Sequence, residues 1–212
     1  MTTIAAFVFN MFQENTYVLY DETKECVIID PGCYDESERA ELLDFITSNR
    51  LKLIKLINTH CHVDHIMGNH FVYEKFGLKP VMHLLEAPAL QSASFFGGMF
   101  GVQVTPSPEP EEFIEEGDVV RFGNTELEVL FTPGHSVGEI CLFCRKEKFL
   151  IAGDVLFRQS IGRTDLPGGD MKTLLNSIMQ KLFPLGDEVR VLSGHGPETT
   201  IGFERGNNPY VG

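Results

Sequence analysis

The sequence predicts an α/β fold, and three observations carry that expectation. Short apolar, β-branched runs recur along the chain and read as strands. Longer segments with helical periodicity stand between them, such as Glu36 to Arg50 and Met171 to Phe183. Residues with metal or acid–base chemistry gather just after the strand-like runs, where α/β folds place their sites.

The chain opens with strands. Ile4 to Phe9, Thr16 to Tyr20 and Cys26 to Ile29 are separated by polar turns around Glu14 and Glu22. Asp30-Pro31-Gly32 stops the third. Ala40, Leu43, Phe45 and Ile46 mark the apolar face of the Glu36 to Arg50 helix, with Asp35 or Ser37 as N-cap. Leu53 to Asn58 reads as a buried strand, and His65 to Phe76 as a helix ended by Gly77. Pro80 to His83 is a further short strand. Leu85 to Ser94 reads as a helix, with Pro88 in its first turn, where it is tolerated. Phe95 to Gly101 is apolar and glycine-rich, and suits either a pocket wall or a loop covering the core. Thr105 to Pro110 is extended and proline-rich. It predicts a seam near 105–110 between two halves of a single domain spanning 1–212.

Strands resume in the second half at Val119 to Phe122, Glu126 to Phe131, Glu139 to Phe143 and Phe149 to Ala152. Gly123-Asn124 is placed for a hairpin turn. Asp170 is the expected N-cap of the Met171 to Phe183 helix, and Val189 to Leu192 is a last short strand. No sequence repeat is evident, but each half runs strands first and helices later.

Composition narrows the function. At 212 residues, with 43% apolar and 22% charged residues, the chain is long enough for a sizeable core and ordinary for a soluble protein. A net charge of −13 and a pI near 4.9 argue against nucleic acid as partner, because phosphate binding needs a basic footprint. No Lys or Arg occurs in the first 20 residues and no apolar run is long enough to span a bilayer, so the expected location is the cytoplasm, away from membranes. Five cysteines, an odd number in a chain this size, do not suggest a disulfide framework. The Cys141 to Cys144 spacing matches a redox pair in number only, since positions i and i+3 of a strand face opposite sides. Cys61 lies one residue off the neighbouring histidines and should point away from them.

The chemistry centres on Thr59-His60-Cys61-His62-Val63-Asp64-His65. Three histidines and an aspartate stand in the spacing H-x-H-x-D-H, where a strand gives way to a helix. Imidazole and carboxylate are the ligands that borderline divalent metals prefer. His60 and His62, two apart in extended chain, can project to one side, and Asp64 and His65 can aim at a point beside them. Three later positions have the same character. His135 follows a strand in Thr132-Pro133-Gly134-His135, Asp154 follows one in Gly153-Asp154, and His195 follows one in Ser193-Gly194-His195-Gly196. Seven nitrogen and oxygen ligands are what two adjacent metals require.

H-x-H-x-D-H, then Thr-Pro-Gly-His, Gly-Asp and Gly-His-Gly, in this order, resembles the metallo-β-lactamase superfamily. The pattern is most similar to the short members of the type II glyoxalase-like (hydroxyacylglutathione hydrolase) branch, which also show Gly162-Arg163-Thr164-Asp165 and an ending like Thr199 to Arg205. The resemblance implies an αβ/βα four-layer sandwich, two mixed β-sheets with helices on the outer faces and metals at one edge. It implies His60, His62 and His135 on one metal, Asp64, His65 and His195 on the other, and Asp154 bridging. Two such ions, about 3.5–4 Å apart, would share a hydroxide that attacks the carbonyl of a thioester or ester. Asp64 and Asp154 are then the carboxylates at the reacting centre. Zinc is the first expectation for the metals, with iron or manganese suiting the same ligands.

The expected partner is a small-molecule thioester or ester; the oligomeric state stays open. Glyoxalase II enzymes bind glutathione through a C-terminal helical region, whereas this chain ends 17 residues after His195. Weak glutathione recognition is therefore expected. Phe95 and Phe96 are candidates for the pocket wall. Arg163 suits a substrate carboxylate or, more readily, a pairing with Asp165 that supports the metal loop. The alternative is a mono-iron persulfide dioxygenase of the same superfamily. Gly-His-Gly-Pro around His195 favours the hydrolase. β-Lactam hydrolysis is disfavoured by Asp154 at the bridging position, and RNA processing by acidity.

Overall fold

The structure is a computed structural model that describes residues 1–99, 101–110 and 112–211. Two compact units divide it. The first comprises Met1–Ile114 with Arg121–Thr125, the second Glu115–Val120 with Glu126–Gly212.

The first unit is built on strands β1 (Thr3–Phe9), β2 (Glu14–Tyr20), β3 (Glu25–Ile29), β4 (Lys52–Ile57), β5 (Pro80–Met82) and β6 (Glu112–Phe113), which form one sheet in that order. β1, β2 and β3 pair antiparallel, whereas β3 to β6 run parallel, so the sheet is mixed. Parallel neighbours need crossovers, and helices supply them. Helix α1 (Glu36–Ser48) joins β3 to β4; α2 (Val63–Ile66) and α3 (Asn69–Phe76) join β4 to β5; α4 (Ala87–Met99) follows a 3₁₀ turn at Leu84–Glu86. A capping box starts α1: Asp35 accepts from the Glu38 amide at 2.9 Å and Glu38 from the Asp35 amide at 3.3 Å. Leu42 and Ile46 of α1, with Phe71 and Val72 of α3, pack on Val18, Cys26, Ile28 and Leu56 of the sheet. Truncating a residue as buried as Leu42 to Ala costs about 2–5 kcal/mol.

In the second unit β7 (Val119–Phe122), β8 (Thr125–Phe131), β9 (Ile140–Cys144), β10 (Phe149–Gly153), β13 (Arg190–Ser193) and β14 (Thr199–Thr200) form a six-stranded sheet in the order β14-β13-β10-β9-β8-β7; the ends of β7 and β8 at Arg121–Thr125 group with the first unit. β10 and β13 are parallel, while β8 to β10 and β13 with β14 are antiparallel, so this sheet too is mixed. β11 (Leu156–Phe157) and β12 (Ser160–Ile161) make a separate ribbon. Leu174 of α5 (Met171–Ser177), Ile178, Leu182 and Ile201 of α6 (Ile201–Asn207) pack on Cys141, Phe143, Leu150 and Val191.

The structure corrects the expected elements in several places. The helix read as His65 to Phe76 is two helices, α2 and α3, broken at Gly68. The Gly68 amide donates to Pro31 O at 2.7 Å, and Asp64 O accepts from Asn10 Nδ2 at 3.0 Å, so the bond that would continue the helix is not made. A Cβ at Gly68 would meet Pro31 O at 2.7 Å, which reserves the position for glycine. Helix α4 starts later than expected and runs on through Phe95 to Met99, so Phe95 and Phe96 lie on a helix rather than in a loop; Phe100 lies outside the described residues. Gly97 allows that helix to approach Val102 and Val104, whose atoms a Cβ would meet at 3.0 Å or less. The Met171 to Phe183 helix becomes a π-helix at Ile178–Leu182 and a 3₁₀ turn at Phe183–Leu185, where Pro184 has no N–H to continue an α ladder. Only Leu56 and Ile57 of β4 are buried. The short strands β6, β11, β12 and β14 and helix α6 carry too few residues for a periodic signal.

Candidate metal centre

The first unit holds His60, His62, Asp64 and His65. The chain leaves β4 at Asn58-Thr59 and turns into α2, with His62 at the helix N-cap in extended conformation and Asp64 and His65 inside its first turn. Asp30, at the end of β3, organises this segment. Its carboxylate accepts from the Thr59 amide at 2.7 Å and from Thr59 Oγ1 at 2.6 Å, and its Oδ2 lies 3.1 Å from His65 Nδ1. Thr59 Oγ1 lies 3.1 Å from His60 Nδ1. The His60 ring sits 4.7 Å from the His62 ring, nearly perpendicular, and 4.1 Å from the His65 ring. His65 Nε2 is 3.8 Å from Asp64 Oδ2. The Nδ1 atom of His65 is thus turned to a carboxylate and Nε2 toward Asp64, as in metal-ligating histidines whose second nitrogen is fixed by an acid.

Asp30, His60 and His65 also bring ligand atoms within 4.8 Å of one another. Both Asp30 oxygens are already engaged by Thr59 and His65, so Asp30 acts as the orienting acid rather than as a ligand. Behind it, Glu14 is fully buried, accepts from Thr16 Oγ1 at 2.8 Å and has an oxygen 4.0 Å from His65 Nδ1. Burial pushes the Glu14 carboxyl well above the usual carboxylate range.

The second unit holds His135, Asp154 and His195. His135 follows β8 through Thr132-Pro133-Gly134. Gly134 has φ 136°, and helix α5 comes so close that a side chain there would strike the Leu174 backbone. His135 Nδ1 lies 2.7 Å from Arg163 O, which turns Nε2 toward Asp154 Oδ2 at 3.5 Å. His195 Nε2 is 3.6 Å from the same oxygen. Asp154 follows the turn at Gly153, and its amide donates to Glu139 Oε1 at 2.7 Å. The Gly194 amide donates to Gly153 O at 2.7 Å, tying the end of β13 to the end of β10.

This donor set suits a metal. Separations of 3.5 and 3.6 Å are long for direct hydrogen bonds. They match two donors on one tetrahedral ion, each about 2 Å from it and so roughly 3.3 Å apart. Imidazole nitrogens and carboxylate oxygens are also the right chemistry for zinc, iron or manganese.

Arg163 is engaged by Asp165 through two bonds of 2.7 Å, Nε to Oδ1 and Nη2 to Oδ2. The guanidinium holds the Asp165 carboxyl down to about 2. Its backbone carbonyl, not its side chain, meets His135. Phe95 is 71% exposed, while Phe96 packs beside Val63, Met67, Val102 and Val104. Cys61 points into an apolar cluster with Ile66, Met82, Leu90 and Ala93, its sulfur 3.3 Å from Met82 Sδ. Asp30, Glu14 and Glu139 were not singled out in the sequence. Asp30 stands before Pro31-Gly32 at a strand end, a position that could have flagged it.

Comparison with known proteins places this geometry in a family. The profile of the metallo-beta-lactamase superfamily matches residues 10–195. The chain is 36% identical over 206 residues to the hydroxyacylglutathione hydrolase GloC of Haemophilus influenzae, covering 94% of this chain and 93% of that protein. Among solved structures it is similar to BLEG-1 B3 metallo-beta-lactamase, with a TM-score of 0.90, 36% identity and 99% of each chain covered. It is also similar to TTHA1623, solved in a di-iron-bound form, with a TM-score of 0.87, 34% identity and 97% and 99% coverage. The chain has the metallo-beta-lactamase fold and belongs to the metallo-beta-lactamase superfamily of metallo-hydrolases.

Proposed function

We propose that the protein hydrolyses a small thioester, as a glyoxalase II-like enzyme working with two divalent metals. In this reading His60, His62 and His135 would hold one metal, Asp64, His65 and His195 would hold the other, and Asp154 would serve both. The observation that carries it is the convergence of His135 Nε2 and His195 Nε2 on the one Asp154 oxygen, at 3.5 and 3.6 Å. Similarity to GloC over nearly the whole of both chains supports the substrate class.

When bound, such metals polarise an acyl carbonyl and make water nucleophilic at neutral pH. The chain's own residues prepare the place. Asp30 fixes the tautomer and tilt of His65, and the Arg163 carbonyl does the same for His135. Asp154 Oδ2 lies between the His135 and His195 imidazoles, 3.5 and 3.6 Å from their Nε2 atoms. Asp64, with 18% of its side chain exposed, is the carboxylate open to substrate and water. Both aspartates are therefore the carboxylates at the reacting centre. The di-iron form of TTHA1623 gives iron more weight beside zinc than the His/Asp ligand set alone does.

A β-lactam is the second substrate to consider, because the chain resembles BLEG-1 along its full length. Both substrates present an acyl carbon to the same centre, so the fold does not separate them. The test is steady-state hydrolysis of S-lactoylglutathione and of a chromogenic cephalosporin, with metal analysis of the same preparation. Thioester turnover at near two metals per chain supports the proposal. Turnover of the cephalosporin alone, or a single iron with oxygen uptake on glutathione persulfide, overturns it.

A further inference from the structure

Beside α2, the first unit holds a groove of about 630 Å³, within the range of small-molecule sites. Tyr34, Ser94, Gln103 and Thr105 line it with neutral polar groups, and Val102 and Val104 with apolar ones. Arg39, on the first turn of α1, is the one charged residue among the described residues that line it. Its Nε is buried and makes no hydrogen bond among the described residues. A buried guanidinium nitrogen without an acceptor is costly, and a ligand can supply one. The adjacent acid does not: Asp35 is taken up by Ser37 Oγ at 2.6 Å and by the Glu38 amide at 2.9 Å. Tyr34, Val102 and Val104 also pack with Val63 and Met67, so the groove wall is continuous with the helix that carries Asp64 and His65.

We infer that this groove is the binding site for a carboxylate at the remote end of the substrate, held by Arg39. The inference rests on the thioesterase reading and adds the substrate class: thioesters bearing a carboxylate away from the scissile bond. A carboxylate fits because one planar guanidinium matches one carboxylate in a forked pair, with the neutral polar residues Tyr34, Gln103 and Thr105 around it; the Ser94 hydroxyl already donates to Val104 O at 3.2 Å. A phosphate dianion calls for more positive charge than a single arginine provides.

The test compares S-lactoyl-3-mercaptopropionate with its carboxamide at 0.15 M salt, in the wild type and in Arg39→Gln. The wild type should favour the carboxylate at least about tenfold in kcat/KM, the size of one charge-assisted pair, and the ratio should fall to near one in Arg39→Gln. Arg39→Lys should keep part of the preference. Calorimetry on the matching thioethers, which cannot be hydrolysed, reads the same preference in binding without any turnover. If neither thioester is hydrolysed, the thioesterase reading fails while calorimetry still decides on the groove. A wild-type ratio near one, a ratio that survives Arg39→Gln, or tighter binding of a phosphomonoester analogue overturns the carboxylate site.

Discussion

His65 Nδ1 lies 3.1 Å from Asp30 Oδ2, and both side chains are almost wholly buried. The same carboxylate accepts from the Thr59 amide and hydroxyl, so one acid fixes both the start of the histidine segment and the ring at its end. Asp30→Ala should therefore weaken metal binding without removing a ligand. The expected loss is about 10–100-fold, as for other acids behind a metal-bound histidine. Competition with a chelator measures it. Unchanged affinity in a folded variant would show that Asp30 serves the fold alone.

Backbone packing at Gly68 gives a stability prediction. A Cβ there would lie 2.5 Å from Cys33 Sγ and 2.7 Å from Pro31 O, in a buried corner that cannot yield cheaply. Gly68→Ala should destabilise the protein by about 1–3 kcal/mol. Gly206→Ala is the control, since nothing lies within 4 Å of a Cβ built there and α6 gains a better helix former. Urea unfolding compares the two, and equal midpoints would contradict the packing account.

The Arg163–Asp165 pair predicts a titration. The guanidinium lowers the folded-state pKa of Asp165 to about 2, below its unfolded value. A depressed carboxylate contributes stability that is present above the unfolded pKa and lost as pH falls through the folded one, here between about 4 and 2. The pair is exposed, so its share of stability is small. Carbon-detected NMR should show Asp165 titrating near 2 in the wild type and back toward the ordinary range in Arg163→Gln. An unshifted midpoint in that variant would remove the arginine as the cause.

All five thiols are free and buried, and burial pushes Cys26 and Cys33 up to about 12 and Cys61 well above the ordinary thiol range. The native protein should give no fast reaction with a disulfide reagent at neutral pH, and five equivalents after unfolding. Cys61→Ala should keep most of its activity, because the sulfur faces Met82 rather than the histidine rings. A large loss of activity with metal content unchanged would contradict that placement.

How much of this was legible in the sequence follows from how local each signal is. The H-x-H-x-D-H segment and the histidines and aspartate at 135, 154 and 195 stood out because each falls just after a strand. Asp35 and Asp170 cap the helices expected of them, since capping is written within three residues. The break at Gly68 was not legible, because it depends on Pro31 and Asn10, both far away in sequence. Nor was the helical state of Phe95 to Met99, whose glycines read as a loop until Val102 and Val104 are seen packed against Gly97. Arg39 stands in no sequence motif and was not singled out. Only the surrounding groove gives its guanidinium a role.

The central claim is that Asp154 joins two metals. Metal content by mass spectrometry, on protein purified without chelator, tests it most directly in the wild type, Asp154→Ala and His195→Ala. The account predicts near two ions per wild-type chain, loss of both from Asp154→Ala, and loss of mainly one from His195→Ala. Two tightly held ions in folded Asp154→Ala, or one ion in the wild type, would contradict it.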